Sequence, residues 1–244
     1  MRAAWLLVLL LPLLADAQPA RRYAVLSLLG DGLTLASREG GVGRGSEKAG
    51  RQFVPLEDPA LDNAAVLAVD DALQKLGSSA VMLGVRDPAI YKAQADVLES
   101  ETGIESLLPL LHPVLANAEA THLILLTKTR YEAVLRLRDG STGAGKLEGL
   151  GFYLDRDKRL RNTQTRVASQ GYVAPYAYFE VALVDLRSGH VLGRSRQLQS
   201  TIVTKPDADD PWEALTPEEK VRALRSLIRR GVQEALPHVL KSPG

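Results

Sequence analysis

The chain has 244 residues, 45% of them hydrophobic and 24% charged, a balance that excludes collagen-like and wholly disordered chains. Thirty Lys and Arg stand against 29 Asp and Glu, for a net charge of +1, so charge gives no broad signal for nucleic acid and any electrostatic recognition has to be local. Cysteine is absent, which removes disulfides, thiol chemistry and a lipid-modified cysteine.

Met1 and Arg2 give a short positive start, Trp5 to Leu14 an apolar run, and Ala15-Asp16-Ala17 small residues where an exporting peptidase reads. This pattern predicts a signal peptide over residues 1–17, with Gln18 as the mature N-terminus and a periplasmic or secreted location. The alternative, a membrane anchor, needs about 20 apolar residues. Residues 18–244 are expected to form a single α/β domain, with no transmembrane segment after the signal.

Tyr23 to Leu29 and Leu33 to Ala36 read as strands joined by Gly30-Asp31-Gly32, which predicts an opening hairpin. Glu39 to Gly50 has five glycines in twelve residues, the composition of a mobile loop, and Gln52-Phe53-Val54 resumes the sheet. Asp58-Pro59 caps a first helix with Leu61, Ala65, Val69, Ala72 and Leu76 inward, ending at Gly77. Ala80 to Val85 reads as a strand buried in a sheet with helices on its faces. Asp87-Pro88 opens a second helix with Ile90, Ala93, Val97 and Leu98 inward, ending near Gly103. Pro109 and Pro113 predict a broken helix over Leu107 to Ala118.

Thr121 to Thr127 is an apolar strand, with Tyr131 to Leu137 expected to pair against it. After a strand at Leu147 to Leu154, Asp155 to Gly171 reads as a long polar loop. Tyr172 to Leu186 and Val191 to Val203 then form a long hairpin through Arg187-Ser188-Gly189-His190. Thr216-Pro217-Glu218-Glu219 is a capping box opening the final amphipathic helix, with Val221, Leu224, Leu227, Ile228, Val232, Ala235 and Leu236 as its stripe. The predicted fold is one mixed β-sheet covered by helices, closed by a long C-terminal helix.

Gly140 to Lys146 satisfies the G-x-x-x-x-G-K part of a phosphate-binding loop, but Leu147 replaces the metal-binding Ser or Thr and glycines 149 and 151 follow where a helix should start. A glycine-rich turn is favoured. His112, His122, His190 and His238 never stand at i,i+4, so no helical zinc pair exists. Asp207, Asp209, Asp210 and Glu213 lack the glycine of a calcium loop and read as a solvated segment. No catalytic, metal or cofactor-binding residues are assigned, and no cofactor is expected.

Arg156, Lys158, Arg159, Arg161 and Arg166, followed by Tyr172, Tyr176, Tyr178 and Phe179, combine guanidinium and aromatic groups as recognition surfaces do. Arg156, Lys158, Arg159, Arg161, Arg166, Tyr172 and Tyr176 are therefore the candidate partner-binding residues, against the plainer reading of solvated charges beside ordinary strand residues. The basic face of the last helix, Lys220, Arg222, Arg225, Arg229 and Arg230, is read as solvating it.

Leu29-Gly30-Asp31-Gly32-Leu33-Thr34 resembles the first block of the GDSL esterases, with Gly32 in place of the nucleophilic serine, which closes the acyl-enzyme route. Val181-Ala182-Leu183-Val184-Asp185-Leu186-Arg187-Ser188-Gly189-His190-Val191, between an exported sheet-and-helix pattern and a C-terminal helix, resembles small periplasmic domains of the TolB amino-terminal and penicillin-binding-protein-activator type. That resemblance implies a non-catalytic envelope protein that docks on other proteins. The expectation is an exported protein that binds a partner protein or an anionic envelope component. The alternative is a periplasmic hydrolase whose acid and base lie on separated strand ends. A deep pocket with perturbed carboxylates would favour the hydrolase.

Overall fold

The computed structural model describes residues 21–38, 49–100, 103–137, 140–161, 168–206 and 208–241. The strands are β1 (Tyr23–Ser27), β2 (Gly32–Arg38), β3 (Ala49–Pro55), β4 (Ala80–Leu83), β5 (His122–Lys128), β6 (Arg130–Glu132), β7 (Leu135–Leu137), β8 (Gly140–Thr142), β9 (Lys146–Arg161), β10 (Ala168–Asp185) and β11 (Val191–Ser200). The helices are α1 (Ala60–Lys75), α2 (Pro88–Ser100), α3 (Leu108–Leu115) and α4 (Pro217–Lys241). Residues 1–17, expected to be a signal peptide, lie outside the described residues, and so does most of the glycine-rich segment 39–50.

Nine strands form one mixed sheet in the order β3-β2-β9-β10-β5-β1-β4, with β11 on the far edge of β10 and β6 on β9. β1 runs parallel to both neighbours, β4 and β5. β10 organises the rest. Along one edge it pairs with β9 up to Tyr178 and with β5 from Phe179 onward, while β11 pairs along the other. Two sheet halves therefore meet on one long strand, and the sheet curls around it.

The alternation of β10 distributes its side chains between three cores. Val173, Ala177, Phe179, Val181 and Leu183 pack under α1 and α4. On the opposite face Ala182 and Val184 lie under α2 and α3, and Tyr172, Ala174, Tyr176 and Tyr178 form an aromatic cluster with Tyr153, Leu135 and Leu147.

Local signals account for the helices. Asp58 accepts a hydrogen bond from Ala60 N at 2.8 Å and Asp87 one from Ala89 N at 2.8 Å. Thr216 and Glu219 close the capping box in both directions, at 2.9 and 3.3 Å. α4 then buries Leu224, Leu227, Ile228, Val232, Ala235 and Leu236, while Val221 stays exposed. The helix expected to break over Leu107 to Ala118 does not: a 3-10 turn, Ile104–Leu107, runs directly into a continuous α3. Pro109 sits in the first turn of α3, where its missing N–H costs nothing, and Pro113 lies inside the helix two residues before its end.

Five expectations about pairing and packing are corrected. β1 and β2 make no hairpin, because both edges of β1 are taken by parallel partners and the chain crosses to the other half of the sheet. Tyr131 to Leu137 does not pair with β5, whose edges belong to β1 and β10; β6 pairs with β9, and β7 with β8. β4 is an edge strand, with Val81 and Met82 about half exposed, and Leu76 is exposed as well. Most of Asp155 to Gly171 is not a loop but the outer ends of β9 and β10, paired from Tyr172↔Asp155 to Ala168↔Arg161 with a bulge at Gly171 (φ 75°). Only residues 162–167 between them are undescribed. The outer ribbon reaches past the helices, so its strands carry polar residues on both faces and lose the apolar alternation by which strands are read.

Candidate functional site

The site grows from the carboxyl end of β1. From β1 the chain makes β2 and β3 in the other half of the sheet, returns through α1 on one face to β4, then passes through α2 and α3 on the other face to β5. That order reverses direction between β1 and β5, and open α/β sheets hold ligands in the crevice at such a reversal.

Part of this crevice is closed by the protein itself. Asp62, in the first turn of α1, is 8% exposed. Its Oδ1 accepts hydrogen bonds from Ser27 Oγ (2.6 Å), Leu29 N (2.9 Å) and Gly30 N (3.0 Å), and its Oδ2 accepts one from Tyr91 Oη (3.1 Å). These backbone N–H groups are the ones that would cradle a phosphate, and Asp62 takes them. Gly30 permits the approach, since a Cβ there would lie 2.6 Å from Asp62 Oδ2. On the other face Gln94 donates to Leu28 O and accepts from Lys128 N, each at 2.9 Å, which ties the ends of β1 and β5 together.

Beside this sealed end two clefts stay open. The first, about 450 Å³, is lined by Arg51, Lys92 and Lys128 against Asp31 and Glu148, with Tyr91 and Phe53. Asp31 and Lys128 are ion-paired, and the Lys128 ammonium also lies 5.2 Å from the centre of the Phe53 ring. Burial pushes the Asp31 carboxyl above the usual carboxylate range and outweighs the opposing pull of Lys128. Burial and the adjacent Asp62 likewise push the Tyr91 phenol up, so it acts as a hydrogen-bond donor.

The second cleft, about 490 Å³, has Lys128, Arg130, Lys146, Arg194 and Arg196 against Glu99 and Glu180. It shares Gln94, Leu98 and Lys128 with the first. It exists because Glu180 interrupts β10 between Tyr178 and Ala182, separating the aromatic cluster from the core under α2 and α3. Thr127, Glu180 and Arg196 stand side by side in register across β5, β10 and β11. Arg130 is held by Glu148 at 2.6 Å and Arg194 by Glu105 at 2.6 Å. Among the described residues Lys146 and Arg196 have no ion pair, and Arg196 lies 5.4 Å from the centre of the Tyr131 ring.

The residues singled out in the sequence lie elsewhere. Tyr172 and Tyr176 are fully buried in the aromatic cluster, so they are core residues and not a recognition surface. Arg156 is ion-paired with Asp210 at 3.0 Å, Lys158 donates to Thr142 Oγ1 at 2.6 Å, and Arg159 stands on β9 opposite Gln170. Arg161 ends β9, and Arg166 lies outside the described residues. Asp210 also caps a short 3-10 turn through Trp212 N. Asp207 is outside the described residues, and no group of three metal-ligating side chains occurs among those described. In α4, Arg230 does not merely solvate: it bonds Gln199 Oε1 at 2.6 Å and Ser200 O at 3.1 Å, docking the helix on β11.

Gly140 to Lys146 leads from β8 into strand β9, with positive φ at Gly140, Gly143 and Gly145. No helix follows, so the glycines serve a turn, yet that turn delivers Lys146 to the second cleft. None of the four histidines lines either cleft. Reading the sequence missed Asp31, Phe53, Lys128 and Arg196. Two signals were present: Glu180 as the lone charge in the alternating run from Tyr172 to Val184, and Lys128 closing the apolar run of β5.

No protein-family model matches the chain, and no curated protein matches it. Among solved structures it is similar to a hypothetical protein from Chlamydia trachomatis, with 10% sequence identity over 91% of this chain and 98% of that chain and a TM-score of 0.35. So distant a likeness carries no inference about this chain.

Proposed function

We propose that the protein is an exported, non-catalytic component of the cell envelope that holds an anionic envelope component in the two joined clefts. The observation that carries this reading is the charge of their lining: three cations against two carboxylates in the first, five against two in the second, with Lys128 common to both. Because Asp62 already fills the backbone cradle at the end of β1, a nucleotide phosphate has no seat there, and side chains have to supply the recognition. Export rests on the amino-terminal pattern of residues 1–17, and the resemblance of the 181–191 hairpin to envelope docking domains agrees with it.

The test has two parts. N-terminal sequencing of protein recovered from an osmotic-shock fraction should return Gln18. Retention on a carboxymethyl-cellulose column should fall further in K146E/R196E than in R159E/R225E, which changes the net charge equally. Early elution of wild type at low salt, or equal retention of the two variants, would overturn the anion-binding reading.

A second reading, hydrolysis, is favoured by one observation, the raised carboxyl of Asp31 inside a cleft. The ion pair to Lys128 and the absence of histidine from the lining make binding the better-supported choice. Asp31→Asn separates the two, since a hydrolase loses turnover while a binder keeps its ligand.

A further inference from the structure

We infer that the ligand is a linear anionic glycan laid along both clefts, an inference that rests on the anion-binding reading above. Each cleft has a lining cation with an exposed aromatic ring against it, Phe53 within the first lining and Tyr131 beside the second. Phe53 is 52% exposed and lies beside Lys128; Tyr131 is 42% exposed and lies beside Arg196. Phe53 is positioned from below as well, because Gly32 leaves the space its ring occupies and any Cβ there would collide with it. An exposed ring fixed in this way loses little freedom when an apolar face stacks on it, and the C–H face of a sugar ring is such a face.

The mixed charge of the lining selects the kind of chain. Glu99 and Glu180 stand among the cations of the second cleft, and Glu148 lines the first while holding Arg130. A phosphodiester chain offers these carboxylates only repulsion, with a charge on every unit and few hydroxyl donors. A sugar acid offers both groups that the lining wants: a carboxylate for Lys146 or Arg196, and hydroxyls that donate to the glutamates. The cations are divided between two clefts that share Lys128, with Arg51 and Lys92 in the first and Arg130, Lys146, Arg194 and Arg196 in the second, so they are spread instead of concentrated on a point. A compact anion would use only some of them.

Calorimetric titration of the full chain with alginate oligosaccharides of two, four and eight uronate units tests the inference, alongside inorganic phosphate and an oligo-dT of eight nucleotides. The uronate octamer should bind more than tenfold tighter than the dimer, beyond the few-fold gain that extra binding registers give. Phe53→Ala and Tyr131→Ala should each weaken the octamer at least fivefold with melting unchanged, and the double variant should lose the length dependence. Equal affinity of dimer and octamer, oligo-dT binding as tightly as the octamer, or intact binding in both alanine variants would overturn the glycan assignment while leaving anion binding in place. Failure of every anion to bind would remove the anion-binding reading itself.

Discussion

The sealed end of β1 and the open clefts beside it both hold carboxylates, met by hydroxyl and backbone N–H donors at the seal and by lysine and arginine in the clefts, and they serve opposite ends. At the seal, Asp62 receives four hydrogen bonds from elements far apart in sequence. In the first cleft, Asp31 has Lys128 as its one ion-pair partner among the described residues, and burial raises its carboxyl. A carboxylate supplied with donors from its own fold has nothing left to offer a ligand. One held by a single cation leaves hydrogen-bonding capacity facing the cleft.

Breaking the seal should have the largest effect. Asp62→Ala strands the Ser27 hydroxyl and the Gly30 N–H and leaves Leu29 N only its 3.4 Å bond to Ser27 Oγ, and with about 1–3 kcal/mol for each buried donor left unpaired, a total near 4 kcal/mol is expected. Thermal melting should fall by about 8–16 °C for a domain of this size. A shift within 2 °C would show the Asp62 network to be dispensable.

Lys128→Met sharpens the contrast by depriving Asp31 of its cation. About 3 kcal/mol should be lost at pH 7, as when one member of a buried pair is removed. The pH dependence has a definite sign. A carboxyl raised in the folded state favours folding below its unfolded value near 3.8 and loses that advantage as pH rises through the folded value. The variant raises Asp31 further, so the gap between wild type and variant should widen from pH 4 to pH 7 in urea titrations. A gap independent of pH would mean that Asp31 is not the group left exposed to the change.

Gly30→Ala attacks the seal from the backbone side. The added Cβ meets Asp62 Oδ2 at 2.6 Å and Cγ at 2.9 Å, and overpacking of this kind costs about 2 kcal/mol. Urea midpoints should move accordingly, and a neutral result would show that the α1 start can retreat. The smallest effect belongs to the remote turn between β10 and β11, where Asp185 accepts from Arg187 N at 2.7 Å and Ser188 N at 3.2 Å, and these bonds hold its carboxyl below the usual range. Asp185→Ala should cost about 1 kcal/mol at pH 7. Because a depressed carboxyl stabilises above its unfolded value, near 3.8, and loses that as pH falls through its folded value, this cost should shrink in acid, opposite in direction to a group that is raised.

Helices α1, α2 and α4, and the β10–β11 hairpin, were legible in the sequence because their signals are local: caps at Asp58, Asp87 and Thr216, and apolar spacing along α1 and α4, whereas α3 was read as broken. The fold class followed from the order of those elements. Strand partners were not legible. A strand's own residues report which face is buried but not which neighbour takes its edges, so the expected pairings of β1 with β2 and of β5 with residues 131–137 gave way once β4, β5 and β10 had filled those edges. Tyr172 and Tyr176 looked available for recognition because aromatic residues serve cores and surfaces alike, and only the packing of β7 to β9 over them buried their rings.

The candidate site shows the same division. Sequence by itself determined that the charges nearly balance, that no thiol chemistry is possible, and that Gly140 to Lys146 would turn. The tertiary structure decided where the charges meet. Lys128, Lys146 and Arg196 come from three strands and meet in the second cleft only because the curled sheet brings the start of β9 alongside the end of β5 and the middle of β11. Hydrogen bonding along a strand is decided by neighbours distant in sequence, so a site assembled from strand ends stays hidden until the sheet order is known.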